Sequence, residues 1–483
     1  MQLKLARGRA FKSKIASLFD YVKLKLLIVI MPEQIHSSSA PDEGYGIERE
    51  AERQVKKSVH SGFFSLFALD ITPLLELRDY RLLFFGQLIS AFGSMMSFVA
   101  VPVQMYQLTN SSLMVGLLGV AEFVPIVILA FVGGALADSV DKRLMLRLTE
   151  IGQTIVTLIL LTNSLLPRPS IVVLFLCAAA HAGLSALQRP SFESLLQKIV
   201  RPELLTSVAA LNSLRWNLSS IVGPALGGLL IGLYGAKITY GIDFVTFAAS
   251  LAAVWLIRAV PAPTGADRAS LRSIFDGIKY AKSRSELLGT YLIDINAMFF
   301  GMPTALFPAV ADKLGAAASI GLFYSAVPAG ALMISLTSGW TRRVHRHGIM
   351  VALAAALWGV AIVGFGLAEN LWLALGFLAL AGAFDMISAI FRQTIWNQTI
   401  PNHLRGRLAG MEMISYTSGP LLGNAEAGIV ASLLGLRTSI VSGGVLCVLG
   451  TVALSALMPQ FLSYDGREGL RRKELEEAIR ENG

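Results

Sequence analysis

The chain has 483 residues, of which 54% are hydrophobic and only 15% are charged, and its mean hydropathy is +0.62. A soluble domain carries roughly a quarter charged residues, so this composition excludes an ordinary water-soluble protein and indicates a membrane protein. The formal net charge is +9. Because the basic residues gather in short segments between apolar runs, this charge indicates membrane topology, and no nucleic-acid partner is expected.

Residues 1–77 differ from the rest of the chain. They open with basic residues, continue through a short apolar run, Leu26–Met31, and then become polar over 37–54. The apolar run is marginal for the core of a secretory signal. We therefore expect a basic, partly disordered cytoplasmic extension, because such a polar segment cannot bury enough apolar surface to fold.

Twelve apolar segments follow, each near the roughly 20 residues that a membrane-spanning helix needs. They are predicted at 80–106, 113–137, 144–166, 170–195, 203–233, 238–258, 286–312, 317–340, 348–367, 370–396, 405–434 and 437–462. This predicts an all-α integral membrane protein. Its expected domains are a six-helix bundle over 78–258, a linker with an amphipathic helix over 259–285, a second bundle over 286–462, and a charged tail over 463–483.

The loops after even-numbered helices carry most of the loop lysines and arginines, and those after odd-numbered helices carry few. Cytoplasmic loops are enriched in these residues. The sequence therefore predicts a multi-pass protein of the cytoplasmic (inner) membrane, with both termini and the linker on the cytoplasmic side.

The turn between the second and third helices carries the most specific motif. Residues 133–143 read Gly-Gly-Ala-Leu-Ala-Asp-Ser-Val-Asp-Lys-Arg. The pattern resembles the loop between helices two and three of the major facilitator superfamily, with Ser139 in place of a basic residue and Asp141 in place of glycine. The resemblance implies a gating loop formed by Gly134, Asp138, Lys142 and Arg143. We expect Asp138 to form a latch with Arg143 and the end of the eleventh helix when the cytoplasmic side is closed.

The two halves also repeat each other. The Gly-Pro-Ala-Leu-Gly segment at Gly223 in the fifth helix is matched by Gly-Pro-Leu-Leu-Gly at Gly419 in the eleventh. Parallel six-helix repeats build facilitator transporters, whose substrate site lies between the halves near the membrane midplane. The repeat therefore favours two six-helix parallel-repeat bundles, the major facilitator fold.

Further segments are similar to one branch of that superfamily, which contains the enterobactin exporter and multidrug efflux proteins. They include Arg78–Leu83, Val101–Gln104, Ala209–Ser213 and Arg405–Arg407, and the resemblance spans roughly 78–460. It implies a secondary active transporter that exports a siderophore-like or drug-like small molecule by proton antiport and alternating access. Its expected partners are a small-molecule substrate, membrane lipids and the proton.

Ionisable residues inside predicted spans are functional candidates, because burying a charge in a bilayer is costly. All six candidates fall on helices that line or flank the cavity in a facilitator fold: Asp385, Asp294, Glu122, Glu426, Arg215 and His181. Their expected role is substrate or proton binding. Internal pairing that holds helices together is the alternative. Neither Asp385 nor Asp294 has an obvious basic partner nearby in the sequence.

The fifth helix carries small residues at a four-residue period around one proline. Such spacing permits close helix approach, and proline removes one helical hydrogen bond. The segment resembles the helix-five motif of antiporters in the superfamily, which implies a hinge formed by Gly223, Pro224, Gly227 and Gly228. A packing motif with no bearing on transport direction is the alternative.

Other functional classes lack their motifs. The sequence contains no phosphate-binding Gly-x-x-x-x-Gly-Lys-Ser/Thr loop and no metal-ligand spacing, so no cofactor or metal is expected and catalytic residues are not assigned. Cys177 and Cys447 lie in predicted helices and are expected to be inert packing residues. Two alternatives remain: a proton-coupled importer of a small metabolite, and a membrane-embedded lipid-modifying enzyme.

Overall fold

A computed structural model of the chain describes residues 70–139, 141–258, 279–401 and 404–482. Twelve long helices lie in these ranges. They are α1 (Arg78–Thr109), α2 (Ser112–Ser139), α3 (Lys142–Leu165), α4 (Ile171–Ile199), α5 (Leu205–Tyr234), α6 (Ala236–Trp255), α7 (Ser285–Gly301), α8 (Ile320–Leu336), α9 (His347–Leu367), α10 (Leu371–Thr399), α11 (Arg405–Leu434) and α12 (Leu436–Leu457). A final helix, α13, covers Gly466–Asn482. Most of the predicted extension and linker lies outside the described residues.

The helices confirm the predicted all-α membrane fold. Eleven segments among the described residues are long and apolar enough to cross a membrane, and α11, although 30 residues long, is not one of them. Large apolar side chains face outward, and Leu336, Trp372 and Leu457 are 76–78% exposed. Exposed apolar surface on this scale is typical of a protein surrounded by lipid.

The seventh and twelfth segments are shorter than predicted. The predicted helix 286–312 stops at Gly301, continues as a 3₁₀ turn over Thr304–Leu306, and resumes over Phe307–Lys313. Pro303 and Pro308 lack the amide hydrogen that an unbroken helix requires. Pro459 begins a separate short helix after α12 for the same reason.

The internal repeat is visible in helix boundaries. The fifth and eleventh helices start 200 residues apart, at Leu205 and Arg405, and both end at a glycine with positive φ, Gly235 at 76° and Gly435 at 92°. A residue with a Cβ atom is disfavoured there, so glycine sets the sharp turns into α6 and α12. Arg215 and Ser415 therefore occupy equivalent positions, ten residues after each start.

The helices pack mainly within each half. In the first half α1 contacts α5 and α6, while α3 and α4 contact each other; in the second half α7 contacts α11 and α12, and α10 contacts α8 and α9. The two halves meet through α2 with α11 and through α5 with α8. We call the end where α1 begins and α12 finishes the terminus end, and the opposite end the loop end.

Candidate transport site

A cavity of about 280 Å³ lies between the halves. Helices α1, α2, α3, α4 and α6 line it from the first half, and α8, α11 and the α7 break line it from the second. Its wall is mostly apolar, with Met95, Phe98, Leu118 and Leu421 among its members. Ligand sites combine such walls with a few placed polar groups.

Two carboxylates and one histidine line this cavity: Glu122 from α2, Asp243 from α6 and His181 from α4. Glu122 has no hydrogen-bond or ion-pair partner among the described residues. The His181 ring lies edge-on to Phe247, with centroids 6.1 Å apart. Asp243 is fully buried and accepts a hydrogen bond from Ser97. The structure therefore brings two of the predicted candidates together and adds Asp243.

The loop end of the cavity is closed by backbone contacts at glycines. Gly116 and Gly119 of α2 lie against the backbone of Asn424 and Leu421 in α11, and Gly228 of α5 lies against Gly321 of α8. A Cβ atom at any of these glycines would overlap the opposing backbone. Small residues at helix crossings permit such close approach. The two halves are therefore in direct contact at this end.

Closer to the terminus end, the two six-helix halves meet through a different contact. The Arg189 guanidinium of α4 donates a 2.5 Å hydrogen bond to the Tyr416 hydroxyl of α11 and lies over its ring. Arg189 also pairs with Glu193 at 3.6 Å, and both of these side chains are more than half exposed. This contact between the halves is therefore made by side chains that are partly exposed to solvent, with Tyr416 39% exposed.

A buried acid–base cluster occupies the second half. Arg392 of α10 pairs tightly with Asp294 of α7, and its other terminal nitrogen lies 3.7 Å from Asp385. Ser415 of α11 donates to Asp294 at 3.4 Å. Neither aspartate has an obvious basic partner nearby in the sequence, but the structure supplies Arg392, which follows Asp385 on α10 and faces Asp294 across the bundle. The Arg392 guanidinium therefore contacts the carboxylates of both Asp294 and Asp385.

Arg215 forms no ion pair within the described part of the chain. Its guanidinium lies over the Phe192 ring, 5.3 Å from the centroid, and donates to the Gln87 carbonyl oxygen at 3.5 Å. Its Nε is buried without an acceptor. Internal ion pairing, the alternative role given for the six candidates, is therefore not seen for Arg215 in that part of the chain. Glu426, half-buried on α11, does not line the cavity.

Two buried carboxylates were missed in the sequence: Glu150 on α3 and Asp243 on α6. Both are fully buried inside predicted spans. The rule applied to the six candidates, that an ionisable residue within a span is a functional candidate, identifies both. They lie on the third and sixth helices, which are outside the set that lines or flanks the cavity in a facilitator fold.

The gating-loop motif is only partly visible. Gly134 and Asp138 belong to α2, but their side chains lie outside the described set, so the latch stays a prediction. Asp141 caps α3, accepting from the amides of Arg143 at 2.7 Å and Leu144 at 3.2 Å. The Arg143 side chain donates to the Trp255 carbonyl, and Lys142 is buried. Asp141, which stands where the motif usually has glycine, therefore caps the start of α3.

The proposed hinge residues pack tightly in α5. Gly223 lies against the Met95 side chain, Gly227 against the Met96 backbone, and Gly228 against α8. The Pro224 carbonyl oxygen faces Gly321. The contacts support close packing of α5 with α1 and α8, and bending at this point stays a prediction.

The fold and the enclosed cavity between repeated halves define a membrane transporter of the major facilitator type. Residues 71–481 match the family model described as transmembrane secretion effector, and the chain belongs to this family. Membership makes it a transporter and not an enzyme, so the lipid-modifying alternative is excluded.

Individual proteins agree with this assignment. The enterobactin exporter EntS of Shigella boydii serotype 18 is 29% identical over 402 residues, covering 81% of this chain and 94% of that protein. A bacterial homologue of the human lysosomal transporter Spinster aligns with a TM-score of 0.65 at 15% identity, over 80% of this chain and 98% of that one. The nucleoside transporter NupG aligns with a TM-score of 0.63 at 12% identity, over 78% of this chain and 98% of that one. The two structures support the fold alone.

Proposed function

We propose that this protein exports a small organic molecule across the bacterial inner membrane by proton antiport and alternating access. The observation that carries this proposal is the cavity between the halves, closed at the loop end by the glycine contacts of α2 with α11 and α5 with α8. Basic loops favour a cytoplasmic terminus end. On this orientation the structure represents the conformation closed toward the periplasm.

The cavity supports cargo binding. Its apolar wall suits the body of a siderophore-like or drug-like molecule, and Glu122 and His181 supply polar groups that are not used by other described side chains. Similarity to an enterobactin exporter favours the siderophore class. Export is preferred over import for the same reason.

The Asp294–Arg392–Asp385 cluster is the proposed coupling site. Asp294 is held tightly and only 2% exposed, whereas Asp385 lies further from Arg392 and is 34% exposed. A single cation cannot fully neutralise two carboxylates, so one of them favours a bound proton. The looser contact and greater exposure favour Asp385 as the carboxylate of this pair that exchanges protons, although neither aspartate lines the cavity described above.

A disulfide across the closed end tests alternating access. In a background with Cys177 and Cys447 replaced by alanine, Gly232→Cys and Ala318→Cys place two thiols at the α5–α8 contact, where a Cβ on Gly232 would lie 3.2 Å from the Ala318 Cα. Oxidation should stop cargo counterflow in proteoliposomes, and reduction should restore it. Each single cysteine variant is the control. Unchanged counterflow after complete cross-linking would contradict alternating access through this contact.

A further inference from the structure

Glu150 is a fully buried carboxylate in the first half, and side-chain amides surround it. Its Oε1 accepts from the Gln87 amide of α1 at 2.5 Å and from the Gln188 amide of α4 at 2.8 Å. Gln153 donates in turn to the Gln188 oxygen at 3.3 Å. These side-chain hydrogen bonds therefore converge on one carboxylate oxygen, Oε1 of Glu150.

The second oxygen of Glu150 is different. Oε2 is buried and has no hydrogen-bond partner of normal geometry among the described residues. The Ser250 hydroxyl of α6, to which Gln87 also donates at 3.4 Å, lies close to the same carboxylate. A proton added to Oε2 removes the charge and breaks none of the bonds that Oε1 accepts. Protonation of Asp294, in contrast, removes the negative charge that holds Arg392. A buried uncompensated carboxylate is costly in a membrane-embedded bundle, so the site favours a proton.

Arg215 lies on the other side of the same glutamine. The Gln87 backbone oxygen accepts from Arg215, while its side-chain amide donates to Glu150. Within the described ranges, Gln87 therefore separates a carboxylate that has no ion-pair partner from a guanidinium that has none. The two charges belong to different helices, α3 and α5.

One other ionisable group lies close to this network: the buried Tyr80 hydroxyl of α1 is near Arg215 and has no hydrogen-bond partner among the described residues. The remaining ionisable groups on the surrounding helices have other contacts: His181 faces the cavity, Asp243 accepts from Ser97, Tyr240 donates to Gln104, Arg147 stacks on Trp255, Arg189 binds Tyr416 and Glu193, and Asp79 pairs with Arg78. Arg215 is a cation whose contacts reach the Glu150 network, through the Gln87 carbonyl oxygen. Lys142 is a second buried cation on α3, two turns before Glu150.

We propose that Glu150 is a proton-binding site of the first half and that Arg215 is its charge partner across Gln87. A proton from the aqueous phase adds to Oε2, and the same proton later leaves to the other side. When Glu150 holds the proton, Arg215 stays over the Phe192 ring. When Glu150 loses the proton, its carboxylate attracts Arg215, which draws α5 toward α3. Since α5 carries Gly228 against α8, proton release acts on the contact between the halves. The inference rests on the proposed proton antiport and adds a second site to it.

Infrared difference spectroscopy of the reconstituted full chain between acidic and alkaline pH is the test. Wild type should show a carboxylic-acid carbonyl band that disappears on deprotonation, and Glu150→Gln should lack one component of it. The same variant should lose gradient-driven cargo accumulation. Glu286→Gln is the matched control, because Glu286 is also buried yet lies at the start of α7, away from this network. That control should retain both signals.

The outcomes separate this inference from the proposed function. If wild type accumulates cargo with the gradient and Glu150→Gln matches it in both spectrum and accumulation, Glu150 is not a proton site. If wild type shows no gradient-driven transport but Glu150→Gln still loses the band, the proton site stands and the antiport proposal fails. Should Glu150→Gln not insert, Arg215→Gln replaces it: the band should remain while accumulation is lost, and normal accumulation would overturn the pairing.

Discussion

The guanidinium of Arg392 on α10 pairs with the carboxylate of Asp294 on α7 inside the second half, while its other terminal nitrogen faces Asp385. In the first half the corresponding cation is Arg215, which belongs to α5. Arg392 belongs to α10, so the two arginines lie on helices that are not equivalent in the repeat. In each half an arginine therefore contacts the first helix, buried in the case of Arg392 and half-buried in the case of Arg215. The carboxylates differ: in the second half they contact the arginine, and in the first half Gln87 intervenes.

Removing the cation from the Arg392 cluster should destabilise the protein. Arg392→Gln leaves Asp294 buried without its partner, and breaking a buried ion pair on one side costs about 3–5 kcal/mol. The melting temperature in detergent should fall clearly. The double variant Arg392→Gln/Asp294→Asn should recover part of the loss, since it leaves no unpaired charge at that position. Equal melting temperatures for wild type and the single variant would contradict the pairing.

The closed loop end should be sensitive to one added methyl group. In Gly321→Ala the new Cβ would overlap the Pro224 carbonyl of α5, so the contact between the halves must separate. Labelling of a cysteine at Thr304, on the cavity wall, from the loop side should increase. Gly376→Ala on α10 is the matched control, since nothing lies within 4 Å of its added Cβ. Identical labelling of both variants would contradict the proposed closure.

Asp138 is predicted to act as a latch that holds the terminus end closed in the opposite conformation. Asp138→Asn should strongly reduce transport while leaving membrane insertion intact, because an amide cannot form the charged contact with Arg143. Transport rate and membrane abundance measured on the same vesicles check this. Wild-type rates in Asp138→Asn would eliminate the latch.

Asp141 has a structural role that the same assay can separate from the latch. Asp141→Ala removes the side chain that accepts from the Arg143 and Leu144 amides, and loss of such a cap costs about 1 kcal/mol. Thermal stability should fall modestly. Asp141→Ser should retain most of it, because serine also caps helix starts. A drop of equal size in both variants would contradict the capping assignment.

The sequence predicts the fold well because a bilayer demands long apolar helices, and this requirement is local. Gly235 and Gly435, which end α5 and α11, are also predictable from the local sequence, since a residue without a side chain is needed at their positive φ. The break after Gly301 also has a local cause, in two prolines, although the length of the apolar run concealed it.

Contacts between helices were less predictable. Asp294 meets Arg392, and Gln87 meets Glu150, because helix rotation and packing bring distant positions together. Nothing in the spacing along one helix encodes these pairs. The membrane positions of Glu122 and His181 were predicted, but their presence in one cavity with Asp243 depends on the packing of three helices.

Uptake into everted membrane vesicles tests the central claim most directly. With an imposed gradient, acidic inside, the wild-type protein should accumulate a siderophore or lipophilic drug, and an uncoupler should abolish that accumulation. Asp385→Asn should bind cargo yet fail to accumulate it, since it cannot exchange a proton. Accumulation unaffected by the uncoupler, or cargo entering intact cells with the gradient instead of leaving them, would contradict proton-coupled export.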